Sequence, residues 1–257
     1  MRGVVVVFGD SITQMGHGEG AWVACLQDAY SRRADFLNRG FSGYTTRSVG
    51  PLLDAIFPPE AAGGGGGGSS SKPYLLTTVW LGANDAASND LQHVPLAEFE
   101  ARLGGIVDRA LLCSRAVVVL TPAPVDSTAW PDRSNAASLA YGRAAARVAA
   151  ARDGATCFDA HAALLEAGGE DWKAMLTDGL HLSRRGGEAV SRGLLSHIEE
   201  HHPDVAPGAL KQDAPWWRDL DPKDPAAAVA AFLDGEGGTP GERSAEVAGP
   251  AAAADRS

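Results

Sequence analysis

An α/β fold with a parallel sheet and helices on both faces is what the sequence predicts, and three observations predict it. Short apolar runs rich in β-branched residues alternate with longer stretches of helical periodicity, at least five of each. The first run, Val4-Val5-Val6-Val7-Phe8, is unbroken rather than alternating, as a strand buried on both faces reads. The length of 257 residues, with 45% hydrophobic and 21% charged residues, suits one such domain plus a tail. Right-handed crossovers and the strand order 2-1-3-4-5 leave the first strand central.

In chain order, the first strand stops at Gly9-Asp10-Ser11 and is followed by a glycine-rich loop, Gly16 to Gly20. Ala21 to Arg33 reads as a helix, with Trp22, Val23, Leu26, Ala29 and Tyr30 at helical spacing. Asp35 to Asn38 reads as a second strand, ending in the loop Arg39 to Tyr44. Thr45 is expected to cap a helix running to Phe57, stopped by Pro58-Pro59. Gly63 to Gly68 and three serines form a low-complexity insertion, expected to be a flexible surface loop. A phosphate-binding loop would need Gly-Lys followed by Ser or Thr; here Lys72 lies between Ser71 and Pro73.

Tyr74 to Leu81 is a third strand, ending in Gly82-Ala83-Asn84-Asp85. Pro95 to Cys113 is a helix with Leu96, Phe99, Leu103, Ile106, Val107 and Ala110 on one face, and Ala116 to Leu120 is a fourth strand. An alanine-rich helix over Ser134 to Arg152 precedes a short fifth strand, Thr156 to Phe158. Helical pieces at Ala160 to Ala167 and Asp171 to Leu176 lead to Thr177-Asp178-Gly179-Leu180-His181, and a last core helix spans Arg184 to His201. The expected organisation is a domain over 1–203, an arm over 204–234 and a disordered tail over 235–257. Trp216-Trp217 carries too much apolar area to be left wholly in water, so the arm is expected to dock on the domain.

Net charge is -10, which argues against nucleic acid as a partner, since phosphate neutralisation needs clustered Lys and Arg. No apolar run approaches the ~18 residues of a membrane span, and the short run after Met1-Arg2-Gly3 does not read as a signal peptide. Cys25, Cys113 and Cys157 are few, odd in number and widely spaced, so reduced thiols and a cytoplasmic setting are expected.

In a parallel sheet the carboxyl ends of all strands share one edge. Ser11, Gly43 and Asn84 each follow a strand, and Asp178 and His181 precede the last helix, so these loops can converge. Ester hydrolysis by a serine needs a base for the hydroxyl proton and an acceptor at the base's other ring nitrogen. His181 and Asp178, three residues apart, meet that need for Ser11. Donors must also face the developing oxyanion; the N–H groups of Ser11 and Gly43 and the Asn84 amide are suitable. Each motif alone is weak, since Gly43 alone marks a turn and Asn84 alone makes an Asx-turn or cap. Their joint order carries the weight.

These residues resemble the four blocks of the GDSL or SGNH hydrolases: Gly9-Asp10-Ser11, Gly43, Gly82-Ala83-Asn84-Asp85 and Asp178-Gly179-Leu180-His181. Within that family the chain resembles more closely the isoamyl acetate-hydrolysing esterase branch, through Phe8 to Gln14, Asn38 to Tyr44, His93 to Leu96 and Asp178 to Ser183. Ile12 stands where the family's four-letter name has leucine. The resemblance, from about Val4 to His201, implies a three-layer α/β/α sandwich with a flavodoxin-like sheet and a site open to varied acyl esters. The expected enzyme is a serine esterase for small, short-acyl esters such as acetates, with no cofactor and no metal. An acyltransferase or a carbohydrate O-deacetylase would use the same site, and a non-catalytic binding module would keep only the fold. Of the other polar residues, His17 is expected to be solvated, and His93 to pack or hydrogen-bond. His197, His201 and His202, beside Glu199 and Glu200, are expected to form a solvated helix end. Asp10 and Asp85 are expected to hold loop backbone.

Overall fold

The computed structural model describes residues 2–59 and 72–234. The glycine–serine insertion and the stretch from Gly235 lie outside the described residues. Five strands, β1 (Gly3–Gly9), β2 (Ala34–Gly40), β3 (Tyr74–Trp80), β4 (Ser114–Leu120) and β5 (Ala155–Phe158), form one parallel sheet in the order β2-β1-β3-β4-β5. The predicted order is correct, and β1 is flanked by β2 and β3.

Successive residues of β1 point to opposite faces, and both faces are covered. Val5 and Val7 join Leu76 and Val118 under α2 (Trp22–Ala29), α6 (Ala160–Gly168) and α7 (Arg184–His201). Val6 and Phe8 join Val79, Val117 and Val119 under α4 (Leu96–Cys113) and α5 (Asn135–Ala150). That is the physical reason for the unbroken valine run. Trp22 and Trp80 meet edge to face in the first layer, with ring centroids 5.3 Å apart.

Two expected helices are shorter than their sequence suggests. The helix expected from Ala21 to Arg33 ends at Ala29, and a turn carries Arg32 at φ 64° into β2. The helix expected from Thr45 to Phe57 is reduced to two short turns near its end. Thr45 and Ser48 bond each other in a local turn; a 3₁₀ turn, Gly50–Leu52, and the single turn α3 (Leu53–Ile56) follow. Pro51, inside the expected helix, has no N–H to donate and excludes a continuous helix through it. Asp171, at φ -97° and ψ 31°, interrupts the 3₁₀ stretch Gly169–Met175.

Arg2–Leu210 forms one compact unit. The described part of the second unit, 211–234, holds a 3₁₀ turn at Trp217–Asp219 and the helix α8 (Pro225–Leu233), capped by Asp224. Within it the Arg218 guanidinium lies 5.1 Å from the Trp217 ring centroid. Docking of this arm on the larger unit stays an inference from the sequence.

Candidate active site

Three adjacent strands end at one edge and deliver three of the predicted loops together. Ser11 opens the one-turn helix α1 (Ser11–Gln14) directly after β1. Asp10 caps that turn, its carboxylate accepting from the Ile12 N–H at 3.0 Å. As the first residue of a helix, Ser11 has no intrahelical acceptor for its own N–H. The loop after β2 is tied to the same turn, because Ser42 N–H donates to Gln14 Oε1 at 2.8 Å. Gly43 in that loop has φ +78°, a conformation that a side chain would strain. After β3, the Asn84 amide donates to the Tyr44 carbonyl at 2.9 Å, joining the second and third loops.

The fourth loop arrives from the far end of the sequence. Leu176 and Leu182 form an antiparallel bridge, and Thr177 N–H donates to the His181 carbonyl at 2.7 Å, so Asp178 to His181 form a tight turn. Gly179 takes φ +90° at its tip. Asp178 Oδ1 accepts from the N–H groups of Leu180 and His181, at 3.0 and 2.9 Å. Its Oδ2 lies 2.7 Å from His181 Nδ1. His181 Nε2 lies 2.9 Å from Ser11 Oγ, across 170 residues of chain.

An ionised carboxylate only accepts, so the ring proton belongs on Nδ1 and Nε2 presents its lone pair to the serine hydroxyl. Burial would raise the Asp178 pKa, but hydrogen bonds from the backbone and ring of His181 and from Leu180 outweigh it. They hold the carboxyl below its ordinary range. Ser11 is 6% exposed, whereas the His181 side chain is 23% exposed, so the pair is reachable from outside.

Beneath this edge, Asp10 and Asp85 hold backbone, as expected. Asp85 Oδ1 accepts from Thr46 N–H at 2.9 Å and from its hydroxyl at 2.5 Å. Burial pushes the Asp10 carboxyl up to about 7 and that of Asp85 up to about 6. Both values exceed the ordinary ~4 of an unfolded carboxyl, so between these limits the folded chain binds more protons than the unfolded one. The stability these two groups contribute therefore falls as pH rises through their folded pKa values. Burial of His161, His197 and His202 lowers their pKa values and acts in the opposite sense below the ordinary ~6.5 of histidine. The Asp10 contribution is therefore read as a difference: the urea midpoint of the wild type is expected to fall relative to that of Asp10→Asn, which can still cap Ile12, as pH rises from about 4 to about 7. A constant difference across that range would show that Asp10 titrates normally.

His93 makes the expected hydrogen bond, its Nδ1 lying 2.8 Å from the Ala87 carbonyl oxygen. The helix end around His197 is not simply solvated: His197 Nε2 and His202 Nε2 both reach the Thr156 hydroxyl, at 2.9 and 2.8 Å, and His202 is buried. Both imidazoles lie at the end of α7 nearest the edge strand β5, which supplies Thr156. Sequence reasoning also missed the residues behind Asn84. Arg133, buried, donates to Asn84 Oδ1 at 3.0 Å, and Gln92 Nε2 donates to the same oxygen at 3.1 Å. Trp130 Nε1 donates to the Asp178 carbonyl at 3.0 Å.

A parallel five-stranded α/β/α sandwich with this arrangement at its carboxyl edge has the form of an α/β hydrolytic enzyme. Residues 7–189 match the GDSL-like lipase/acylhydrolase family, and the chain belongs to that family. It is a carboxylic ester hydrolase. An isoamyl acetate-hydrolyzing esterase 1 homologue of Bos taurus is 36% identical over 233 residues, 84% of this chain and 87% of the relative. The isoamyl acetate-hydrolyzing esterase of Saccharomyces cerevisiae is 31% identical over 234 residues, 84% of this chain and 94% of the relative. Among solved structures, a lipase/acylhydrolase from Enterococcus faecalis superposes with a TM-score of 0.62 at 24% identity, covering 84% of this chain and 100% of that one. Among the described residues, no helix is long and apolar enough to cross a membrane.

Proposed function

We propose that this chain hydrolyses small carboxylic esters with short acyl groups, acetates foremost, through an acyl-enzyme on Ser11. The observation that carries this reading is the hydrogen-bonded series from Ser11 Oγ to His181 Nε2 at 2.9 Å and from His181 Nδ1 to Asp178 at 2.7 Å. Ser11 Oγ attacks the ester carbonyl carbon while its proton passes to His181 Nε2. The protonated imidazole, steadied by Asp178, then gives that proton to the departing alkoxide. Water enters next, loses a proton to His181 and cleaves the acyl-serine, which restores the hydroxyl.

The carbonyl oxygen takes negative charge in both steps. The N–H groups of Ser11 and Gly43 and the second amide hydrogen of Asn84 are the donors for it. Acetate as the acyl group is supported by the relatives named for hydrolysing isoamyl acetate. A reducing, cytoplasmic setting is the reading that three widely spaced cysteines, odd in number, support.

A screen of p-nitrophenyl esters tests the substrate class. Acetate and butyrate are expected to give kcat/KM at least ~10-fold above the decanoate, a margin set by how well a short pocket fits each acyl chain. Faster turnover of long chains would contradict the short-acyl reading. Product analysis with added alcohol or an acetylated xylo-oligosaccharide distinguishes hydrolysis from acyl transfer and from sugar O-deacetylation.

A further inference from the structure

We infer that Arg133 is a positioning residue for the oxyanion donor Asn84, and that it sets the direction of the whole amide network behind the site. The inference rests on the proposed role of Asn84. An arginine guanidinium only donates hydrogen bonds, so any amide atom that faces it must be oxygen. One Arg133 nitrogen faces both Asn84 Oδ1 and Gln92 Oε1, each at 3.0 Å. Both amides are thereby fixed in one of their two orientations.

With Oε1 turned to Arg133, Gln92 Nε2 points the other way and donates to Asn84 Oδ1 at 3.1 Å and to the Gly43 carbonyl at 3.0 Å. With Oδ1 held by two donors, Asn84 must present its NH₂ outward. One hydrogen goes to the Tyr44 carbonyl at 2.9 Å, and the other is left for substrate. A flipped Asn84 would set its NH₂ against two donor groups. The charge also draws electron density toward Oδ1, which strengthens the N–H donors at the opposite end.

The guanidinium itself is held firmly. Its other terminal nitrogen pairs with Asp132 at 2.6 Å, Asp132 is held by Asn89 at 2.7 Å, and the Trp130 ring centroid lies 5.1 Å from the guanidinium carbon. Trp130 also stands edge-on to the His181 ring, with centroids 6.3 Å apart, and bonds the Asp178 carbonyl. The short segment 130–133 therefore touches both the oxyanion donor and the turn that carries the base. A purely structural role, as the cation opposite Asp10, is the competing account.

A double-mutant cycle with p-nitrophenyl acetate separates the two. Asn84→Ala should lower kcat by about 10²–10³. Arg133→Met should lower kcat by about 10–10² with KM little changed, because the lost interaction forms only in the transition state. Arg133→Lys, which still only donates, should recover most of that loss. In the Asn84→Ala background, Arg133→Met should cost less than about 3-fold, because its effect runs through the missing amide. Gln92→Leu, at a partly exposed site, gives a second route if Arg133→Met does not fold. It should cost about 3–10-fold alone and almost nothing beside Asn84→Ala. An equal loss in both backgrounds, or a raised KM with unchanged kcat, would overturn the positioning role. Wild-type kcat in Asn84→Ala would instead overturn the assignment of the oxyanion donors themselves.

Discussion

Replacing Ser11 by alanine is expected to lower kcat on p-nitrophenyl acetate by about 10⁶, leaving only the slow attack of water favoured by the remaining donors. The size of the effect follows from what is removed: no other side chain lies where Ser11 Oγ lies, 2.9 Å from His181 Nε2 in a chain that ends on a carboxylate. The fold should survive the change. Asp10, not Ser11, caps the helix turn, and Ser11 contributes only a hydroxyl that faces the imidazole. An unchanged thermal midpoint with lost turnover is the expected pair of readings. A variant that keeps more than a tenth of the wild-type rate would place the nucleophile elsewhere.

Asp178→Asn is the second large effect, expected at about 10⁴ in kcat. The reasoning is geometric. Two backbone N–H groups, those of Leu180 and His181, point at Oδ1 of the present aspartate. In the variant only the amide oxygen can accept them, so the amide nitrogen must sit where Oδ2 now faces His181 Nδ1. A donor there drives the imidazole to the tautomer with its proton on Nε2, which cannot accept a proton from Ser11. The turn keeps both backbone bonds, so stability should change little while kcat collapses. The imidazole carbon-proton and ring-nitrogen NMR shifts of His181 should report the changed tautomer. A loss below 10-fold would mean that Asp178 serves the turn and not the base.

Much of this was legible before any coordinates because the relevant residues lie in short segments with local logic. The valine run of β1, the loops that begin at Ser11, Gly43 and Asn84, and the spacing of Asp178 and His181 each need only a few neighbouring residues to interpret. Arg133, Gln92 and Trp130 could not be found that way. The bonds from Arg133 to Asn84 and Gln92 and from Trp130 to Asp178 span 41–49 residues, and an arginine or glutamine in a polar loop carries no local mark of burial. Two other misreadings have equally physical causes. Helical spacing from Thr45 to Phe57 hid the veto of Pro51, and the charge of Glu199 and Glu200 hid the fact that His197 and His202 turn toward Thr156.

Acid-quenched mass spectrometry during turnover of a slowly deacylated ester tests the centre of this account most directly, because a covalent intermediate on one named residue either forms or does not. The expected result is an added acyl mass on the peptide that contains Ser11, absent from the Ser11→Ala variant. Acyl mass on a different residue, or none under conditions where ester is being consumed, would contradict it.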